Sequence, residues 1–200
     1  MGSKENLITA ATKLFYRKGY GSVGTKEICE AAGVNKGTFY HFFPSKSALA
    51  RDALTNYAMI MSEKNSKILA NPVSAREKLE LVCDSFLAVN HELAEDDNIH
   101  GCLLGNIALE LSHADEMVGE HINQLMKHNC AGMALLVQEL IEEYQIEDPI
   151  EAEEGARRIM AYVEGCLMFA KAHNNLDELR SRLDGCIGLL YKSRPSGASL

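Results

Sequence analysis

The sequence predicts an all-α protein in which three short helices precede a larger helical body. Three observations carry that prediction. Apolar residues recur every three or four positions along most of the chain, the period of one face of a helix. No segment keeps up an alternation of apolar and polar residues between turn signals, which a half-buried strand would need. Only four prolines interrupt the 200 residues, and a 46% hydrophobic content is ample for a core.

The elements follow in order. Leu7, Ala10, Ala11, Leu14 and Phe15 share one helical face, and Gly19 closes this first helix. Thr25 is expected to cap a second helix over 26–32, closed by Gly33. Asn35 caps a third, short helix reaching about Phe43, and Pro44-Ser45 marks the break. Ser45 then caps a long fourth helix whose stripe includes Leu49, Ala53, Leu54, Tyr57 and Ile60. A fifth helix starts near Ser74 with Leu79, Val82, Cys83, Phe86 and Leu87 on one face, and the acidic run at 95–98 interrupts it. A helix over about 103–111 precedes a long one over 115–144, in which Val118, Ile122, Leu125, Met126, Met133, Val137, Leu140 and Ile141 keep a period near 3.6.

Pro149 is expected to open the next helix, with Ile159, Val163, Leu167 and Ala170 aligned and Gly155, Ala156 and Gly165 admitting close packing. A final helix carries Leu176, Leu179, Leu183, Cys186, Ile187 and Leu190. The expected divisions are a helix-turn-helix domain over 1–48, a helical body over 49–192 and a disordered tail over 193–200.

Charge is divided unevenly. Residues 1–50 hold seven Lys or Arg against three Glu, a net +4, while the whole chain carries −8 and residues 51–200 therefore −12. A basic first quarter on an acidic body indicates which end would face a polyanion. The six cysteines (29, 83, 102, 130, 166 and 186) form no Cys-x-x-Cys pair, and several sit in apolar helical patterns. They read as small hydrophobes in a reducing compartment, not as a disulfide framework or zinc site. No apolar run approaches the roughly 18 residues of a membrane span, and no secretory apolar region opens the chain. A cytoplasmic location without membrane attachment is expected.

The stretch "EAAGVNKGTFYHFFPSK" over 30–46 concentrates the chemistry. Ala31 and Ala32 are small enough for two helices to cross closely, and Gly33 supplies a positive φ. Val34 packs inward with Ile28, Phe39 and Phe43, and the capped third helix is left exposed at its start. That arrangement is a helix-turn-helix. Lys36 can reach a phosphate or guanine, Thr38 a thymine methyl, and Tyr40 a phosphate, while Gly37 keeps the helix start slim and His41 faces the groove. Lys46, Thr25 and Lys26, at the starts of their helices, are expected at flanking phosphates. The expected partner is double-stranded operator DNA.

These residues resemble the DNA-binding domain of the tetracycline-repressor (TetR) family of bacterial transcriptional regulators. The similarity covers about residues 5–54. It rests on the glycine after Leu14-Phe15, Thr25 opening the second helix, Ala32-Gly33-Val34, Gly37-Thr38-Phe39-Tyr40, and Lys46 followed by Leu49. The resemblance implies an all-helical homodimer with a DNA-reading N-terminal domain and a ligand-binding, dimerising C-terminal domain. Family members often place a histidine two residues after the recognition-helix tyrosine; here Phe42 stands there and the histidine is His41.

In the body, the two last helices have paired apolar stripes, and two from each subunit would form a four-helix interface. "IHGCLLGNIALEL" over 99–111 resembles a segment near the ligand pocket in a subset of the family. Cys102, at a helix start beside His100, is a candidate thiolate sensor of electrophiles or oxidants; the alternative is a buried, inert thiol. Phe86, Met126, Met133 and Tyr162 are the further candidates for a pocket that takes an unidentified small-molecule effector. His121 and His128 share a helical face but lie two turns apart, and no His-Glu-x-x-His occurs, so no metal or cofactor is expected. No nucleophile motif, phosphate loop or carboxylate pair supports an enzyme, including one built on Cys102 and His100. The function expected is a ligand-responsive homodimeric repressor.

Overall fold

A computed structural model describes residues 2–175 and 177–192; Leu176 and the tail expected at 193–200 lie outside the described residues. Among the described residues the chain forms helices α1 (Ser3–Lys18), α2 (Thr25–Ala32), α3 (Lys36–Phe42), α4 (Lys46–Leu69) and α5 (Ala75–Ala94). They continue as α6 (Leu103–Leu111), α7 (Glu116–Glu143), α8 (Ala152–His173), α9 (Asp177–Arg180) and α10 (Leu183–Gly188). No strand occurs among those residues, only an isolated antiparallel bridge between Pro149 and Tyr191.

The local start and stop signals act largely as their chemistry requires. The side-chain oxygens of Asn35, Ser45, Ser74 and Asp115 accept from the backbone N–H three residues on, capping α3, α4, α5 and α7. Thr25 departs from expectation: it is the first residue of α2, and the cap position is Gly24, with no side-chain bond. Gly33 takes φ 66° and ψ 34°, the left-handed conformation that ends α2 at no Cβ cost.

The first three helices close around Phe15, Ile28, Phe39 and Leu49, all fully buried. That small core continues without a break into the body, because α1 and α4 belong to both. α1 buries Leu7, Ala11 and Phe15, while its Thr12 hydroxyl bonds the Ile8 carbonyl at 2.9 Å and lies 3.3 Å from the Ala53 carbonyl of α4. Burying Thr12 is tolerable only because its hydroxyl is satisfied there.

The C-terminal part departs most from the sequence expectation. α8 begins at Ala152, not at Pro149, because residues 148–150 pair with 190–192: Ile150 N–H donates to the Leu190 carbonyl at 3.0 Å and Lys192 N–H to the Asp148 carbonyl at 3.2 Å. The single last helix is two short pieces. At the break, the Tyr162 hydroxyl donates to the Arg182 carbonyl at 3.0 Å, and Gly185 lies directly against Tyr162. Gly155 does admit close packing, since a Cβ there would stand 2.8 Å from Val137 Cγ1 of α7. Gly165 does not, having open space where its Cβ would be.

The stripe Ile159, Val163, Leu167 and Ala170, expected at a dimer interface, is buried in the subunit's own core, as are Leu179, Leu183, Cys186 and Leu190. Among the large apolar side chains left in solvent are Met168 and Phe169 of α8 and Met117 and Leu135 of α7, each between 46% and 63% exposed.

Candidate nucleic-acid interface and ligand cavity

The outward face of α3 is polar, aromatic and open. Lys36, Gly37, Tyr40 and His41 are exposed. Tyr40 rests edge-on against the buried Phe39 ring at 5.1 Å, which holds it upright, and the Lys36 ammonium lies 5.8 Å from the Tyr40 ring centre. His41 packs edge-on against Phe42 at 4.8 Å, and both stay exposed. Gly37 has a second reason to be glycine: a Cβ there would stand 3.1 Å from Asn35 Oδ1, crowding the cap. Thr38 Oγ1 is drawn into that cap, 3.2 Å from Asn35 Oδ1, which leaves its methyl group as the part suited to a thymine contact.

The structure also resolves what the +4 of the first quarter consists of. Lys4 pairs with Asp52, Lys13 and Arg17 with Glu95, and Lys18 with Glu27. Lys26 is only loosely paired, 3.8 Å from Glu30, and stays exposed. Lys36 has no carboxylate partner among the described residues. Cations already matched by local carboxylates contribute little to a polyanion site. The positive charge left over therefore sits on α2 and α3, where the helix-turn-helix places it.

Lys46 is the main correction on this face. Its ammonium turns inward, donating to the carbonyls of Tyr20 at 3.0 Å and Val23 at 2.9 Å and lying 3.9 Å from the Tyr20 ring centre. Burial holds its pKa down, opposed by the nearby Glu110 carboxylate. That carboxylate, on α6, accepts from the N–H groups of Tyr20 (3.1 Å) and Gly21 (2.7 Å). Lys46 thus clamps the α1–α2 turn to α4, and Glu110 ties the same turn to the body. Nothing in the position of Glu110 along α6 announces this; it is set by tertiary approach alone.

The body holds a cavity of about 340 Å³ between α4, α5, α7 and α8, a size suited to a small molecule. Of the sequence candidates, Phe86, Cys102, Met126 and Met133 line it. His100 and Tyr162 do not. The His100 ring bonds Asp96 at 2.9 Å and packs against Tyr16, and Tyr162 is committed to the α9–α10 break.

Cys102 precedes α6 without a cap bond and is buried. Burial, and next the Glu164 carboxylate, push its thiol pKa up, the opposite of the expected thiolate. Most of the lining lies outside those candidates, and two of its residues bear on the chemistry. Tyr57 belongs to the α4 stripe, and Glu164 is an acid four residues after Met160 and three before Leu167 that interrupts an apolar face.

Two polar ties join the cavity's walls to the helix-turn-helix. Tyr16 of α1 shares its hydroxyl proton between Asn90 Oδ1 (3.0 Å) and the Gly101 carbonyl (3.1 Å), next to Cys102. α4 carries Tyr57 and Met61 in the cavity wall and Lys46 at its other end.

An exposed, cap-organised helix following a glycine turn, on a basic unit joined to a helical body with a cavity, defines a helix-turn-helix transcriptional regulator. Residues 7–53 match the family "Bacterial regulatory proteins, tetR family" and residues 75–184 match "Tetracyclin repressor-like, C-terminal domain". The chain belongs to the TetR family.

Among its relatives, the HTH-type transcriptional regulator LmrA of Bacillus subtilis is 25% identical over 95% of this chain and 97% of its own. The HTH-type transcriptional repressor DhaR of a Mycobacterium species is 23% identical over 88% and 86%. The same fold is seen in a TetR regulatory protein from Rhodobacter sphaeroides, at TM-score 0.81 and 22% identity, covering 93% of this chain and 97% of that one. It is seen again in reduced NemR of Escherichia coli, at TM-score 0.76 and 19% identity, over 97% and 100%. Among the described residues no helix is long and apolar enough to cross a membrane, and no group of three or more potential metal ligands gathers.

Proposed function

We propose that this regulator is a cytoplasmic homodimeric repressor that is released from its operator when a small molecule fills the body cavity. The observation that carries the reading is α4. One helix lines the cavity with Tyr57 and Met61 and anchors the α1–α2 turn with Lys46, so a ligand that moves it repositions both helices of the DNA-reading unit. In a dimer the two α3 helices would enter successive major grooves, and their separation would set affinity. Lys36, Tyr40, His41 and the backbone at Gly37 are the proposed groove contacts, with Thr25 and Lys26 at flanking phosphates. Lys46 acts through the turn it holds. Met168, Phe169 and Leu135 supply exposed apolar surface for subunit pairing. The acidic body would be held off the DNA by its own charge. The DhaR relative, named as a repressor, supports the same direction of control.

The test is a fluorescence-anisotropy titration against DNA flanking the protein's own gene. The dimer should bind one pseudo-palindromic segment selectively. Lys36→Ala should weaken that binding and reduce its salt slope by about one, with the melting temperature unchanged. Binding without sequence preference on any such segment would refute the proposal.

A further inference from the structure

One feature of the cavity is chemically unspent. The Tyr57 hydroxyl is buried, with the residue only 3% exposed, and makes no hydrogen bond of good geometry, its one polar approach being to the Cys102 thiol. A buried hydroxyl left unpaired costs free energy, and a ligand group that reached it would recover that cost. Beside it in the same wall stand Cys102 and Glu164. The Glu164 carboxylate leans over α6 at Gly105, where a Cβ would stand 2.7 Å from its Oε2, so the glycine makes the space that the carboxylate occupies. Burial raises the Glu164 pKa, and only a hydrogen bond with the neighbouring Cys102 thiol, not a cation, works against it. The arginine that lines the cavity, Arg157, is bound through Nε (3.0 Å) and Nη2 (2.8 Å) to Glu154 and is largely in solvent. The remaining wall is predominantly apolar, from Met61, Leu79, Phe86, Met133 and Leu136 among others.

Resting on the reading of this cavity as the effector site, we propose that its ligand is an apolar molecule carrying one protonated amine, seated with the amine donating to Tyr57 Oη and to the Glu164 carboxylate. An N–H donor satisfies both oxygens at once. A positive charge suits a body whose residues 51–200 carry −12, whereas an anionic head would meet an unneutralised carboxylate. The apolar body of the ligand occupies the methionine and leucine lining, which is soft enough to fit several shapes.

The experiment is calorimetric titration of the full-length protein with three probes of one shape: 4-phenylbutylamine, 4-phenylbutan-1-ol and 4-phenylbutanoate. The amine should bind roughly tenfold tighter than the alcohol, as a charge-assisted pair replaces a neutral one, and the carboxylate weakest. Glu164→Gln should erase the amine's advantage without changing the alcohol. Glu164→Asp should keep part of it, and Tyr57→Phe should weaken amine and alcohol alike. An alcohol that binds as tightly as the amine, or an amine preference that survives Glu164→Gln, overturns the amine assignment while leaving the cavity reading intact. If none of the three binds and none displaces operator DNA, the cavity reading falls as well.

Discussion

The helix-turn-helix and the body are both built of helices, but by different rules. In the N-terminal unit each functional feature is local: Asn35 caps α3 from one residue before it, Gly33 turns the chain beside it, and Phe39 seats Tyr40 from the next position. In the body each functional feature is distant. Tyr57, Phe86, Cys102, Met133 and Glu164 come from α4, α5, the start of α6, α7 and α8 before they share one wall. A site made within one short helix can be recognised from spacing, whereas a site made by five separate segments must wait for packing. The difference also assigns roles, since the local unit presents a rigid surface and the assembled one encloses space that a ligand can change.

The strongest way to break this comparison is at Phe39, which is fully buried beneath α3. Phe39→Ala should cost about 3–5 kcal/mol and abolish operator binding, as seen by thermal melting and anisotropy. If the two regions are separable, the cavity should still take up 4-phenylbutan-1-ol; loss of that binding too would show one cooperative unit.

A smaller effect tests the seam between them. Glu110→Ala removes the acceptor for Tyr20 and Gly21. It should cost roughly 1 kcal/mol, leave DNA binding nearly intact and blunt its release by ligand. Release as complete as in the parent protein would confine the coupling to α4.

Within the local unit, Asn35→Ala should lower stability by about 1 kcal/mol and loosen α3 specifically, read by faster amide exchange at Gly37 and Thr38. Equal exchange in both proteins would show that the cap does not organise the reading face.

The least perturbing change is Glu164→Gln, and its effect has a sign. Burial raises the folded-state pKa of Glu164, so the stability this group contributes is complete below the ordinary carboxylate range and is lost as pH rises through the raised value. The glutamine variant, which cannot ionise, should therefore be more stable than the parent at pH 8 and lose that advantage at pH 4 in denaturant titrations. An unchanged difference between the two pH values would mean that Glu164 titrates normally.

Much of the fold was legible for reasons these residues make plain. The stripes on α1, α4, α5 and α7 are long enough for the 3.6 period to stand out, and Gly19, Gly33, Asn35 and Ser45 punctuate them. The end of the chain was not legible, because an apolar pattern from 176 to 190 suits one helix or two pieces equally. Tyr162, held on α8, captures the Arg182 carbonyl and decides for two. The same limit explains the stripes of α8. Periodicity shows that Ile159, Val163 and Leu167 are buried but not against what, and the answer is their own subunit.

The candidate sites divide in the same way. Lys36, Tyr40 and His41 stand where the sequence put them, on an exposed helix face. Lys46 looked identical to them in type and spacing, yet two backbone carbonyls of the α1–α2 turn pull its ammonium inward. Cys102 had the sequence marks of a reactive thiol, and its burial beside Glu164 reverses the direction of its pKa.

By itself the sequence determined the helices as far as α7, the turn, the cap and the family, because each depends on residues within about one helical turn of one another. The tertiary structure alone decided which cations remain free for DNA, which side chains enclose the cavity, and that Tyr57, Cys102 and Glu164 gather in one wall of it. Those outcomes depend on desolvation and on contacts between segments far apart in the chain, and no spacing rule encodes either.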